Sequence, residues 1–198
     1  MGIDLNGSEY NSPVVGIFNN GQAGKVNGVK VSVEKKGIAD SDNAPAYKVL
    51  FTDEIGSINM GLFYPTEQST DSQNKLLAGK CADLVKAVMG VDYVFPQYNS
   101  YNELLDGCMT ILSQNAEGKL VNVFATYGTK GAPKKFLGVY KNFNFVEGAD
   151  VKASALRQTI NPNKEQYDDL MERIVEDQQP TQINESNVSS EPVWGARS

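Results

Sequence analysis

Histidine is absent from this 198-residue chain, cysteine occurs twice and tryptophan once. Without histidine there is no Ser-His or Cys-His nucleophile pair, no histidine zinc site and no customary general base near neutral pH. Carboxylate pairs occur at Asp53-Glu54 and Asp168-Asp169. One falls in a turn pattern and the other on a polar helical face, where solvated charge is the simplest expectation. The chain therefore reads as a non-enzyme that needs neither metal nor cofactor. Cys81 and Cys108 fall on the apolar faces of two separate helical patterns, which predicts reduced core thiols and not a disulfide or metal pair. Gly21 and Gly24 lie in NNGQAGK, where no GK[ST] follows, so a phosphate-binding loop is excluded. No apolar run approaches the roughly 18 residues of a membrane span. The opening MGIDLNGSEY lacks the basic and apolar pattern of a signal peptide, so a cytoplasmic protein without membrane partners is expected.

What the chain does have is segregated charge. The net formal charge of −6 hides three blocks. Residues 1–118 hold 8 Lys and Arg against 14 Asp and Glu, residues 119–164 hold 8 against 2, and residues 165–198 hold 2 against 8. An acidic total argues against a polyanionic partner, but a basic block of net +6 between two acidic ones of −6 restores that possibility locally.

Periodicity gives the elements. Residues 1–25 are rich in Asn, Gly and Ser and read as a flexible arm carrying one short apolar run. Val29, Val31 and Val33 alternate with polar residues as in a half-buried strand, and Tyr47, Val49 and Phe51 mark a second. Asp53 to Ser57 reads as a hairpin turn, after which Ile58, Met60 and Leu62 continue as a third strand ending at Tyr64-Pro65. Thr70 or Asp71 can cap a helix whose stripe is Leu77, Cys81, Leu84, Val85 and Val88, with Gly90 to end it. Ser100 followed by Glu103 predicts a capping box for a second helix, with Leu104, Leu105, Cys108, Ile111 and Leu112 at helical spacing.

The stretch from Leu120 to Phe145, LVNVFATYGTKGAPKKFLGVYKNFNF, carries the chemistry. Two aromatic-rich strand patterns flank a connection with Gly128, Gly131 and Pro133. Lys130, Lys134 and Lys135 sit in the connection, with Tyr127, Phe136, Tyr140 and Lys141 beside it. Lysines attract phosphates and unpaired bases stack on rings, so this pattern suits a single strand of nucleic acid. The candidate phosphate contacts are Lys130, Lys134, Lys135 and Lys141, with Lys48 and Lys30 as helpers. The candidate stacking rings are Tyr127, Phe136 and Tyr140, with Phe124 as a fourth. Phe136 and Tyr140 share one strand face, while Leu137, Val139, Phe143 and Phe145 take the other, which looks like core. The plain alternative is a hairpin with core aromatics and a solvated lysine turn.

Three strands, a helical insert and two strands (β-β-β-α-α-β-β) is the succession of an OB-fold-like five-stranded Greek-key barrel, in which the connection between strands four and five borders the binding face. The expected fold is thus mainly β with a helical insert. It divides into an arm over 1–25, a nucleic-acid-binding domain over 26–160, and an acidic C-terminal helix with a disordered tail over 161–198. On VKVSVEKKG, YKVLFTDEIGSINMGLFYP, YGTKGAPKKFLGVYKNF and the acidic tail, residues of about 26–146 resemble the single-stranded-DNA-binding proteins of tailed bacteriophages. The resemblance implies sequence-tolerant binding of single-stranded DNA in phage replication or recombination, in the host cytoplasm, with replication proteins as partners through the tail. The last residues, PVWGARS, depart from an acidic, aromatic-ended terminus. The other expectation, from a different class, is a virion structural or assembly protein such as a capsid-decorating β-domain.

Overall fold

Valine alternating with polar residues builds the first three strands. The computed structural model describes residues 17–37, 40–129, 132–139 and 144–156. Strand β1 spans Gly24–Lys35, β2 Tyr47–Thr52 and β3 Ser57–Leu62. Val29, Val31, Val49, Phe51, Ile58, Met60 and Leu62 are buried, and Lys30, Ser32, Lys48 and Asn59 between them are exposed. Val31 pairs with Phe51 and Phe51 with Ile58, so one row of apolar side chains crosses all three strands. A slip of one residue would turn that whole row to solvent, which is why the register is well specified.

Two helices follow. Helix α1 spans Asp71–Met89 and α2 spans Tyr101–Asn115. Thr70 caps α1 in a full capping box: its Oγ1 accepts from the Gln73 N–H at 3.2 Å, and Gln73 Oε1 accepts from the Thr70 N–H at 2.8 Å. Gly90, at φ +103°, ends it as expected. Ser100 caps α2 by accepting from the Glu103 N–H at 3.1 Å. The reciprocal arm lands one residue early, because Glu103 Oε2 accepts from the Asn99 N–H at 2.7 Å. Leu84, Val85, Leu105 and Leu112 meet the strand valines in one core. Each such side chain contributes about 1.5–3 kcal/mol by leaving water. Cys81 and Cys108 are buried within it and free. The hydrogen bond to Cys108 and burial both push the Cys81 thiol up, so it stays protonated.

Strand β4 (Leu120–Thr129), β5 (Ala132–Gly138) and β6 (Val146–Gly148) complete the described chain. The strands are ordered β3-β2-β1-β4-β5, with β6 also on β4, and every pairing is antiparallel. The return of β4 to lie beside β1 is the 4-1-2-3 order of a Greek key, with both helices in the long connection. The expected mainly β fold with a helical insert is present. The sheet, however, has six strands and is open: β3 and β5 are outer strands, and among the described residues no hydrogen-bonded register joins them. The unexpected sixth strand shares one edge of β4 with β5. Strand β6 pairs Val121 to Val123, and β5 pairs Thr126 to Thr129. A three-residue strand has too short a period to stand out in sequence.

Two local features shape the sheet. A bulge between Val26 and Val29 displaces the β1–β4 register at Gly28, whose φ of +70° favours glycine. The Gly28 N–H donates to Asn122 Oδ1 at 3.3 Å. In its described part the N-terminal arm is anchored, since Phe18 is buried in a 3₁₀ turn over Phe18–Gly21 and the Asn19 N–H donates to Asp53 Oδ2 at 2.6 Å. Asn19 and Asn20 take positive φ there, which asparagine tolerates better than most side chains.

Candidate nucleic-acid interface

A stacking ring must offer a free face, and β4 offers none in its described length. Val121, Val123 and Ala125 face the core, yet Asn122, Phe124 and Thr126 on the opposite face are buried as well. The polar members are satisfied locally. Asn122 Nδ2 donates to Glu147 Oε1 and the Gly148 carbonyl oxygen, and Thr126 Oγ1 donates to the Gly128 carbonyl oxygen at 2.8 Å. Glu147 also takes Lys25 at 3.2 Å and the Ala155 N–H at 3.0 Å. Burial alone would raise the Glu147 carboxyl, but the hydrogen bonds it accepts outweigh burial and hold it below the usual carboxylate range.

The sequence-predicted residues therefore separate. Phe124 is 4% exposed and Tyr127 5% exposed, and the Tyr127 phenol donates to the Gly21 carbonyl oxygen. In this structure both rings are packed, so Tyr127 ties the N-terminal turn to β4. Phe136, on the outer strand β5, is 72% exposed. Leu137 beside it is half-buried, and beyond the strand Val139 and Phe145 are buried. Lys134 and Lys135 lie in β5, immediately before Phe136. Lys130, Tyr140, Lys141 and Phe143 lie outside the described residues, as do Asp168-Asp169 and the acidic C-terminal segment.

Lys30 and Lys48 both stand on the outward face of the meander, but the register holds them apart, since Lys30 pairs with Thr52 and Lys48 with Glu34. Both are exposed; Lys30 lies between Thr52 and Leu120, and Lys48 pairs with Gly61 on its other side. Glu34 stands opposite Lys48 across β1 and β2, so that lysine has an acidic cross-strand neighbour. Asp53, half of a sequence carboxylate pair, is a structural acceptor for three backbone N–H groups. No group of three or more metal-ligating side chains occurs among the described residues, and none of their helices is long and apolar enough to cross a membrane.

Sequence reasoning passed over two exposed rings. Phe63 and Tyr64, 55% and 38% exposed, sit just past β3. Their signal was Pro65, which stops the strand so that two aromatics leave the alternating pattern at its end. Comparison of the chain with family models, with curated proteins and with solved structures finds no match.

Proposed function

We propose that this chain is a sequence-tolerant single-stranded-DNA-binding protein with a partly open OB-type barrel, acting without catalysis in phage DNA replication or recombination. The observation that carries the reading is Phe136, an aromatic ring 72% exposed on an outer strand whose preceding residues are Lys134 and Lys135. A large ring left this exposed has no packing reason to be there, and the lysines that precede it in the chain can neutralise the phosphate that a stacked base brings with it. The topology supports the fold half of the reading. Antiparallel pairing from β1 through β2 to β3, and from β1 through β4 to β5, makes β3 and β5 run the same way. Their Cα atoms approach within 8 Å, as the two sides of a barrel's opening would.

Binding of a fluorescent oligothymidylate, followed by anisotropy over a salt series, tests the function. Affinity falls steeply with salt because each phosphate contact releases counterions. Phe136→Ala weakens binding by about 1–3 kcal/mol with little change in slope, because stacking releases none. Replacing Lys134 and Lys135 together by Ala flattens the slope by about two contacts. A wild-type protein that fails to bind at about 50 mM salt, where electrostatic binding is strong, overturns the reading.

A further inference from the structure

The end of β1 and the end of β3 enclose a groove of about 570 Å³, with Lys35 and Lys36 on one wall and Phe63 and Tyr64 on the other. A smaller hollow of about 300 Å³ continues past the same two rings to Leu76 and Lys80 on α1. Volumes of a few hundred Å³ suit a small ligand such as one nucleotide, not a folded partner.

The rings differ in their freedom. Tyr64 is fixed: its phenol donates to Asp106 Oδ1 at 2.6 Å, and its ring meets Tyr47 edge-on at 6.4 Å. Phe63 is more open, and it lies beside Gly61, where a Cβ would stand 3.5 Å from its Cε2. The charges around the groove are mostly positive. Asp106 is held by the Tyr47 and Tyr64 phenols. Asp42 reaches Lys36 only at 4.0 Å and is itself fully exposed, so it screens that lysine weakly. Lys35 lies 5.6 Å from the Tyr47 ring centroid. Burial lowers the Lys80 ammonium.

We propose that Phe63, with Lys35 and Lys36, forms a second nucleotide subsite in which a base stacks on the ring and its phosphate meets the lysines. The inference rests on the single-stranded-DNA reading and extends it to a surface on the opposite outer strand. Position joins the two surfaces. Strands β3 and β5 run the same way, so Phe63 just beyond the end of β3 and Phe136 near the end of β5 lie toward the same end of the sheet. One extended strand crossing that end meets both rings. A docked peptide would want an apolar wall on both sides, whereas here the rings face Lys35 and Lys36.

The test uses the full chain with oligothymidylate carrying 5-iododeoxyuridine, cross-linked by light and mapped by mass spectrometry, beside anisotropy on the variants. The expected result is a cross-link on the peptide holding Phe63, a roughly tenfold loss of affinity in Phe63→Ala, and a salt slope lowered by about one to two contacts when Lys35 and Lys36 are both Ala. If Phe63→Ala melts at a lower temperature than wild type, Phe63→Leu keeps the apolar bulk without a flat face and must show the same loss. Wild-type affinity in Phe63→Leu and in the double lysine variant, with Phe136→Ala still impaired, overturns the subsite and leaves the function standing. A wild-type protein that binds no single-stranded DNA overturns both.

Discussion

Asp53 gathers the N-terminal turn and the β2–β3 hairpin with one carboxylate. Its Oδ2 accepts from the Asn19 N–H at 2.6 Å, and its Oδ1 accepts from Ile55 at 2.8 Å and Gly56 at 2.7 Å. Burial would raise this carboxyl, but the N–H donors of Gly56, Asn19 and Ile55 win, and it titrates below the ordinary aspartate range. The folded value lies below the unfolded one of about 3.9, so the stabilisation is fully present above that pH and is lost as pH falls through the folded value. Asp53→Asn should cost about 1 kcal/mol at pH 7, a figure kept small by solvent screening at a part-exposed site. Urea denaturation at neutral pH and again at about pH 3 checks the sign, since the gap between variant and wild type must narrow in acid. An equal gap at both pH values would detach the effect from the charge. The sequence showed Asp53 only as half of an acidic pair in a turn, because its partner Asn19 is 34 residues away. Tyr127 and Phe124 were illegible for a related reason. Alternation marks one face of β4 as core, but says nothing about whether something covers the other.

At the scale of elements, local chemistry was legible wherever the cause was local. Thr70, Gly90 and Ser100 punctuate the helices, and the valine alternation sets β1 and β2. Where the cause is tertiary, sequence propensity misleads, and Gly107 inside α2 is the case in point. A glycine in mid-helix is worth replacing by alanine on propensity alone, by about 1 kcal/mol. The Tyr98 ring lies across the helix at that position, with its Cε1 only 2.5 Å from where an alanine Cβ would stand and its Cζ at 3.0 Å. Burial and its thiol neighbour Cys108 push the Tyr98 phenol up to about 12, consistent with a ring held against α2. Gly107→Ala should therefore destabilise the protein by about 1–3 kcal/mol, as overpacking does, in spite of the gain in propensity. A melting temperature at or above wild type would mean that Tyr98 swings away freely.

For the whole molecule, how far the sheet closes was not legible in the sequence, because closure depends on β3 meeting β5 across about seventy residues of intervening chain. Strand order fixes what solution measurements should find. Strand β1 is bonded by β2 and β4, and β4 by β1 on one side and by β5 and β6 on the other. Between Val121 and Val123, β4 has bonded neighbours on both sides and side chains in the shared core, so those amides should exchange hydrogen only through global unfolding. Val121 and Val123, both fully buried, belong to that slowest class. Strand β3 has a bonded neighbour on one side, and in an antiparallel pair every second amide of Ser57–Leu62 points away from β2. Hydrogen exchange followed residue by residue should thus give two classes within β3, alternating slow and fast, while β4 from Val121 to Val123 stays uniformly slow. Uniform protection along β3 would show that β5 pairs with it in solution and that the sheet closes into a complete barrel. The alternating pattern would keep the β3 edge available, beside Phe63, on the side where a bound strand is proposed to cross.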